Sequence, residues 1–191
     1  DDDLKQLFTL MGVKYVHPNC EAETYAAHLC KKNVAYAVYS EDMDTLAFGS
    51  PYLIRNCIDK SIKRKDVVSV FSLNDILSDF KMNYEQFVEM CILCGCDYCG
   101  TIPKIGSIRA YQSIISHKTA EKFMSENKNT PPNYLDKFNK AKSLFMETNF
   151  EDYKIISNIK DNDMLVNFLV NDCDMSITRV QNALKKINKF I

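Results

Sequence analysis

Val34-Ala35-Tyr36-Ala37-Val38-Tyr39 runs directly into Ser40-Glu41-Asp42-Met43-Asp44, so an apolar, β-prone segment ends in a knot of acids. The pattern predicts a buried strand over residues 34–39. The preceding residues 21–31 have helical spacing, and a strand entered from a helix belongs to an alternating α/β layout. Such layouts favour a parallel, mostly buried sheet, whose ligands sit beyond the carboxyl ends of the strands. Here that place is occupied by residues 40–44.

Working outward, residues 4–10 read as a helix and residues 13–16 as a short extended piece. Two further extended runs, residues 52–57 and 67–71, are joined by the polar segment 58–66 and suit a hairpin with a basic connection. Ser72 with Asp75, and Asn83 with Gln86, have the spacing of capping boxes, which predicts helices to about residue 80 and to Gly95. Beyond Gly100 strand signals stop, and short helices are expected over residues 107–116, 120–125, 134–147, 164–170 and 177–189. Pro131-Pro132 separates two of them. The last helix has Val180, Leu184 and Ile187 on one apolar face.

The chain has 191 residues, 46% hydrophobic and 26% charged, enough for a well-buried core with an appended helical lobe. Its apolar runs fall far short of the ~20 residues of a membrane-spanning helix, so no membrane association is expected. Asp1-Asp2-Asp3 lacks an initiator Met, a basic leader and an apolar signal core, and reads as a cut or processed end. The eight cysteines do not follow the loop-rich spacing of secreted scaffolds and read as reduced thiols in an intracellular protein.

Net charge is −1, but its distribution is uneven. Residues 1–50 carry four Lys against eight acids, and residues 101–150 carry eight Lys and Arg against four acids. That polarity suits an enzyme that gathers cations at one place and grips a phosphate backbone at another; chance clustering on solvated faces produces the same count.

Three segments carry candidate chemistry. Glu21-Ala22-Glu23 opens a helix, where the pair either brackets one point at the helix entrance or simply complements the helix dipole. Glu41-Asp42-Met43-Asp44 crowds acids that need neutralising, by solvent in an exposed turn or by a hard divalent cation in a site. Cys94-Gly95-Cys96-Asp97-Tyr98-Cys99 places an acid just past a helix end. Cys91, Cys94, Cys96 and Cys99 also have spacings open to zinc, but the first two belong to an apolar helix and no His accompanies them, so core thiols are expected and no zinc.

The order and spacing of these segments are more specific than any one alone. Leu10-Met11-Gly12-Val13, Cys20-Glu21-Ala22-Glu23, Ser40-Glu41-Asp42-Met43-Asp44-Thr45-Leu46-Ala47-Phe48-Gly49-Ser50, Glu85-Gln86-Phe87-Val88 and Gly95-Cys96-Asp97-Tyr98-Cys99 resemble consecutive blocks of the flap endonuclease family, the XPG-like structure-specific 5′ nucleases. The similarity runs to at least Arg109 and weakens through the later helices. It implies an α/β fold with a PIN-like parallel sheet flanked by helices, followed by a helix-two-turn-helix DNA-binding region, with residues 1–97 forming the internal part of the nuclease core and residues 98–191 the helical part.

The resemblance further implies hydrolysis of DNA near a 5′ flap by two Mg²⁺ or Mn²⁺ ions, with Glu21, Glu23, Asp42, Asp44 and Asp97 as metal ligands. Glu21 and Glu23 would sit nearer one ion, and Asp42, Asp44 and Asp97 nearer the other. Thr101, Ile102 and Ile105 match positions whose carbonyls hold a potassium ion, and Gly95, Lys104, Gly106 and Arg109 match a duplex-phosphate contact. The turn departs from the family's Gly-Ile-Gly-Pro-Lys-Arg: Lys104 stands where a glycine is usual and Ile108 where a lysine is usual. Gln181-Asn182-Ala183-Leu184-Lys185-Lys186-Ile187-Asn188 begins like a sliding-clamp box but lacks its two aromatics.

Family members also begin with a segment bearing two further acids, basic residues and a helical arch. The expectation is that the natural protein carries it upstream and that these residues alone bind metal poorly and cut slowly. The alternative is a nuclease-like module that binds DNA junctions or partner proteins without cutting. Nuclear placement follows from the resemblance; a large DNA virus would keep such an enzyme in the cytoplasm.

Overall fold

The computed structural model describes residues 2–55, 68–147, 150–151, 153–157 and 159–187. The chain divides into two compact units, Asn19–Glu151 and Asp1–Pro18 with Asp152–Ile191. The expected boundary at residue 97 runs through the first of these, which contains every candidate site residue.

In that unit α2 (Ala22–Lys31) leads to β1 (Val38–Tyr39), then α3 (Asp44–Ala47), β2 (Tyr52–Arg55), β3 (Ser69–Ser72), α4 (Leu73–Phe80), α5 (Tyr84–Cys94), α6 (Ser107–His117), α7 (Ala120–Glu126) and α8 (Tyr134–Phe145). The strands form one sheet in the order β1-β2-β3. β1 pairs with β2 in parallel, Val38 opposite Leu53, as the helix-to-strand rhythm predicted. β3 runs antiparallel to β2, Leu53 opposite Phe71, so the hairpin is borne out while the sheet is mixed rather than purely parallel. The hairpin's connection, residues 58–66, lies outside the described residues.

The sheet is also less buried than expected, since Val70 and Tyr39 are half exposed. The strand predicted over residues 34–39 shortens to Val38–Tyr39 for a local reason. Asn33 adopts a left-handed conformation (φ 57) after α2, and the amides of Val34 and Ala35 both donate back to the Leu29 carbonyl at 2.9 and 3.3 Å. Those donors are spent on closing the helix and are lost to a sheet ladder.

Capping chemistry places the helices that carry the core. Asn83 and Gln86 form the full capping box of α5, with bonds of 2.9 and 3.1 Å, and Ser72 accepts from the Asp75 amide at the start of α4. α5 is apolar nearly all round and sits centrally, with Val88, Ile92 and Leu93 fully buried against Leu46, Leu53, Ile102, Ala110 and Ile114. Burial of each such side chain contributes roughly 1.5–3 kcal/mol.

In the other unit α1 (Asp2–Met11) packs on α9 (Asn162–Asn167), which continues as a wider π-helical turn over Phe168–Asp172, before α10 (Ile177–Ile187). Its small core is Leu10, Leu165 and Phe168. The piece expected to be extended over residues 13–16 contributes Tyr15, bridged to Ile156 by bonds of 3.1 and 2.9 Å. Val180 is buried and Leu184 packs on the core, so α10 is the amphipathic helix its spacing predicted. Among the described residues no helix is long and apolar enough to cross a membrane.

Candidate metal centre and nucleic-acid interface

Glu21 is the N-cap of α2, with extended backbone (φ −60, ψ 138), and Glu23 lies in its first turn. Glu21 therefore stands outside the helical spiral that carries Glu23. Ser40, just past β1, donates from Oγ to Glu23 Oε1 at 3.4 Å and accepts the Asp42 amide at 3.0 Å. Asp42 Oδ1 in turn accepts the Asp44 amide at 2.8 Å, which starts α3. The acids at the end of β1 are therefore not a loose turn: Ser40 holds the Asp42 backbone, and the Asp42 carboxylate holds that of Asp44.

Asp44 lies where the segments meet. Its carboxyl is pushed above the ordinary aspartate range, first by burial and then by the negative charges of Asp42, Asp97 and Glu21. Asp97 comes from the turn after α5, where Gly95 (φ 97) ends the helix and Cys96 and Cys99 exchange backbone hydrogen bonds of 3.0 and 3.1 Å around Asp97-Tyr98. Glu41, the remaining acid of its stretch, points elsewhere and pairs with Arg55 at 3.5 Å.

Tyr98 is a residue the sequence did not single out. Its hydroxyl donates to Glu21 Oε2, and its phenol is pushed well above the usual range by burial, by that bond and by Glu21, Asp44 and Asp97. Glu21 and Tyr98 face an open cavity of about 510 Å³ floored by Phe48, Leu144 and Phe150. Position beside Asp97 was the only signal that could have marked it, and Ser40 likewise was marked only by following the strand.

The donors are all hard carboxylate oxygens, which suits Mg²⁺ or Mn²⁺ and not a soft-metal site. The repulsion focused on Asp44 is what a bound cation would relieve. Among the described residues, however, no three His, Cys, Asp or Glu side chains close into a ready metal cage. Of the four clustered cysteines, Cys91 is pushed up to about 12, chiefly by burial, Cys99 is buried, and Cys94 and Cys96 are half-buried.

Further along, Gly95 ends α5, Thr101, Ile102, Lys104, Ile105 and Gly106 lie on the connection from α5 to α6, and Arg109 lies in the first turn of α6. Ile102 is fully buried and its carbonyl accepts the Ile105 amide at 2.9 Å. Lys104 is left-handed (φ 66), the conformation for which a glycine is usual. Gly106 caps α6 at its N-terminus, and Lys104, Gly106 and Arg109 line a shallow depression there; Gly95 does not. Amide groups at such a helix start suit a phosphate.

Residues 12–97 match the family model described as the XPG I-region. Flap endonuclease 1 of Entamoeba dispar is 36% identical over 97% of this chain and 50% of its own length. The chain carries an XPG I-region and resembles flap endonucleases over nearly its whole length. Its fold agrees with that resemblance: flap endonuclease-1 from Methanococcus jannaschii superposes with a TM-score of 0.80 at 27% identity, over 97% of this chain and 56% of that one. The catalytic core of Rad2 in complex with DNA substrate gives 0.81 at 18% identity, over 97% and 66%, a likeness of fold alone. The chain thus spans about half the length of the curated relatives it matches.

Proposed function

We propose that this chain supplies the acid-bearing internal part of a structure-specific 5′ flap endonuclease and 5′-3′ exonuclease that hydrolyses DNA phosphodiester bonds by a two-metal mechanism in replication and repair. The observation that carries it is the convergence on Asp44 of charge from three separate segments, through Glu21, Asp42 and Asp97, with Glu23 tied in through Ser40. A fold gains nothing from concentrating like-charged carboxylates at a half-buried point, whereas a cation site requires it.

Glu21 and Glu23 would hold one ion, and Asp42, Asp44 and Asp97 the other. Two such ions, when bound, lower the pKa of water and neutralise charge on the leaving oxygen. The chain's own contribution is positional. Ser40 fixes the Asp42 backbone and Glu23 together, the Cys96–Cys99 turn presents Asp97, and Asp44 starts α3 on the Asp42 carboxylate. The start of α6, with Lys104, Gly106 and Arg109, would take the phosphates of duplex DNA, and Thr101, Ile102 and Ile105 would offer carbonyls to a potassium ion. The natural partner is flapped or branched duplex DNA, and the natural setting nuclear.

One observation favours a second reading, a nuclease-like module that binds junctions or partner proteins without cutting: the described carboxylates form no closed cage. Manganese binding separates the two. Wild-type chain is expected to bind Mn²⁺ and Asp42→Asn to bind it at least ~10-fold more weakly, a typical loss for a disturbed metal site. Equal affinity of the two proteins would overturn the metal-site reading.

A further inference from the structure

The geometry points to Tyr98 as a positioning residue that holds the Glu21 carboxylate in its metal-ready orientation. This inference rests on the metal-site reading above. Glu21 is solvent-exposed at a helix N-cap, and its own side chain makes no capping bond to α2. An exposed glutamate samples many rotamers, and freezing them on binding a cation would cost affinity. The Tyr98 hydroxyl removes that freedom by donating to Oε2, which leaves Oε1 available to a cation.

Tyr98 can act this way because it is itself held. Its backbone lies between Cys96 and Cys99, which are locked by reciprocal main-chain bonds. Its ring stands edge-on to Phe145, centroids 5.6 Å apart and planes at 75°, and Phe145 is 1% exposed and packs against Phe48 at 4.7 Å. A path of rigid rings therefore runs from the core ends of α3 and α8 to a flexible carboxylate at the start of α2. Hydrogen-bonded partners of metal-ligating carboxylates are typically worth 10–100-fold in metal affinity or activity. Asp97 and Tyr98 share one turn, so the same backbone presents a candidate ligand and orients another.

The test compares Mn²⁺ affinity, read by the electron paramagnetic resonance of free Mn²⁺, in wild type, Tyr98→Phe, Asp44→Asn, Glu21→Gln and the Tyr98→Phe/Glu21→Gln pair. Tyr98→Phe keeps the ring on Phe145, so its melting temperature is expected to stay near that of wild type while affinity falls ~10-fold. In the Glu21→Gln background Tyr98→Phe is expected to have no further effect. A Tyr98→Phe protein that binds Mn²⁺ like wild type while Asp44→Asn has lost it would overturn the role of Tyr98 and leave the metal site standing. An Asp44→Asn protein with unchanged affinity would overturn both.

Should Tyr98→Phe not fold, a single fluorotyrosine at position 98 replaces it. Its fluorine resonance is expected to shift on Mg²⁺ addition in proportion to site occupancy. An unmoved resonance at saturating Mg²⁺ would equally overturn the inference.

Discussion

Arg109 donates from Nη1 to the main-chain carbonyl of Lys104 at 2.8 Å, so a basic residue expected to meet phosphate also braces the turn that precedes its helix. Lys104 is the left-handed residue of that turn, with φ 66. A non-glycine residue there costs about 1–2 kcal/mol, and a glycine would give back about 0.4–1 kcal/mol through the freer unfolded chain. Lys104→Gly is therefore expected to stabilise the chain by about 1 kcal/mol or less. It also deletes a cation, so duplex binding should weaken and its salt dependence flatten by about one counterion. Arg109→Ala, in contrast, should lower stability by about 1 kcal/mol as well as affinity. Thermal melts and salt titrations on the same proteins check both, and an Arg109→Ala protein as stable as wild type would show that the brace is energetically silent.

Gly95 and Gly106 are both expected phosphate-contact positions, yet they differ in structure. Gly95 has φ 97, and a Cβ built on it would lie 2.8 Å from Thr101 Cγ2. Gly106 has φ −112, and a Cβ there meets nothing within 4 Å. Gly95→Ala is expected to cost about 1–3 kcal/mol and to shift the turn carrying Asp97, weakening Mn²⁺ binding as a secondary effect. Gly106→Ala should fold within about 0.5 kcal/mol of wild type, so any fall in its duplex affinity reads contact with phosphate directly. Equal melting temperatures for the two variants would mean that the turn relaxes around position 95 without strain.

The contrast shows where sequence reading is strong and where it ends. The helices around the core were legible because capping pairs such as Asn83 with Gln86 and long apolar periods such as that of α5 act locally. The parallel β1-β2 pair followed from the helix-to-strand order. The length of β1 did not, because Asn33 turns left-handed and the next two amides return to Leu29. α3 was invisible, being four residues long and started by an Asp42 side chain. At the candidate site, residue types and spacing marked the acids of residues 21–44 and Asp97 as candidates, and only the family resemblance joined them into one proposed ligand set. The bond from Tyr98 to Glu21 and the link from Ser40 to Glu23 join residues far apart in the chain, which spacing cannot encode.

Asp44 bears the sharpest test of a site that sacrifices stability for charge. Burial and three neighbouring acids disfavour its ionised form, so Asp44→Asn should melt at a higher temperature than wild type in the absence of divalent metal. Saturating Mg²⁺ should reverse the order, because a ligand at 100 times its dissociation constant adds about 2.7 kcal/mol to the protein that binds it. Differential melts with and without Mg²⁺ check the crossing. If Asp44→Asn were less stable than wild type without metal, the carboxylate would be making a stabilising contact and the repulsion argument would fail.

Away from the site, Lys142 ties α8 to α5. Its Nζ lies 2.7 Å from both Glu89 Oε1 and Glu85 Oε1, and Glu89 Oε2 accepts the Ala120 amide at 2.8 Å where α7 begins. The Glu89 side chain is only 6% exposed, whereas that of Glu85 is 59% exposed and worth little by itself. Lys142→Met leaves the Glu89 carboxylate buried with one partner and should destabilise by about 3 kcal/mol, while adding Glu89→Gln should cost much less in that background than in wild type. Burial works against the charged Lys142, but the bonds to Glu85 and Glu89 prevail and hold its pKa above the usual 10.5. A raised lysine contributes fully below its unfolded value and loses the contribution as pH climbs through the folded one. The stability gap between wild type and Lys142→Met should therefore be flat at neutral and mildly alkaline pH and shrink only above about 10.5. A gap that closed well below that pH would mean that the pair is not what joins the two helices.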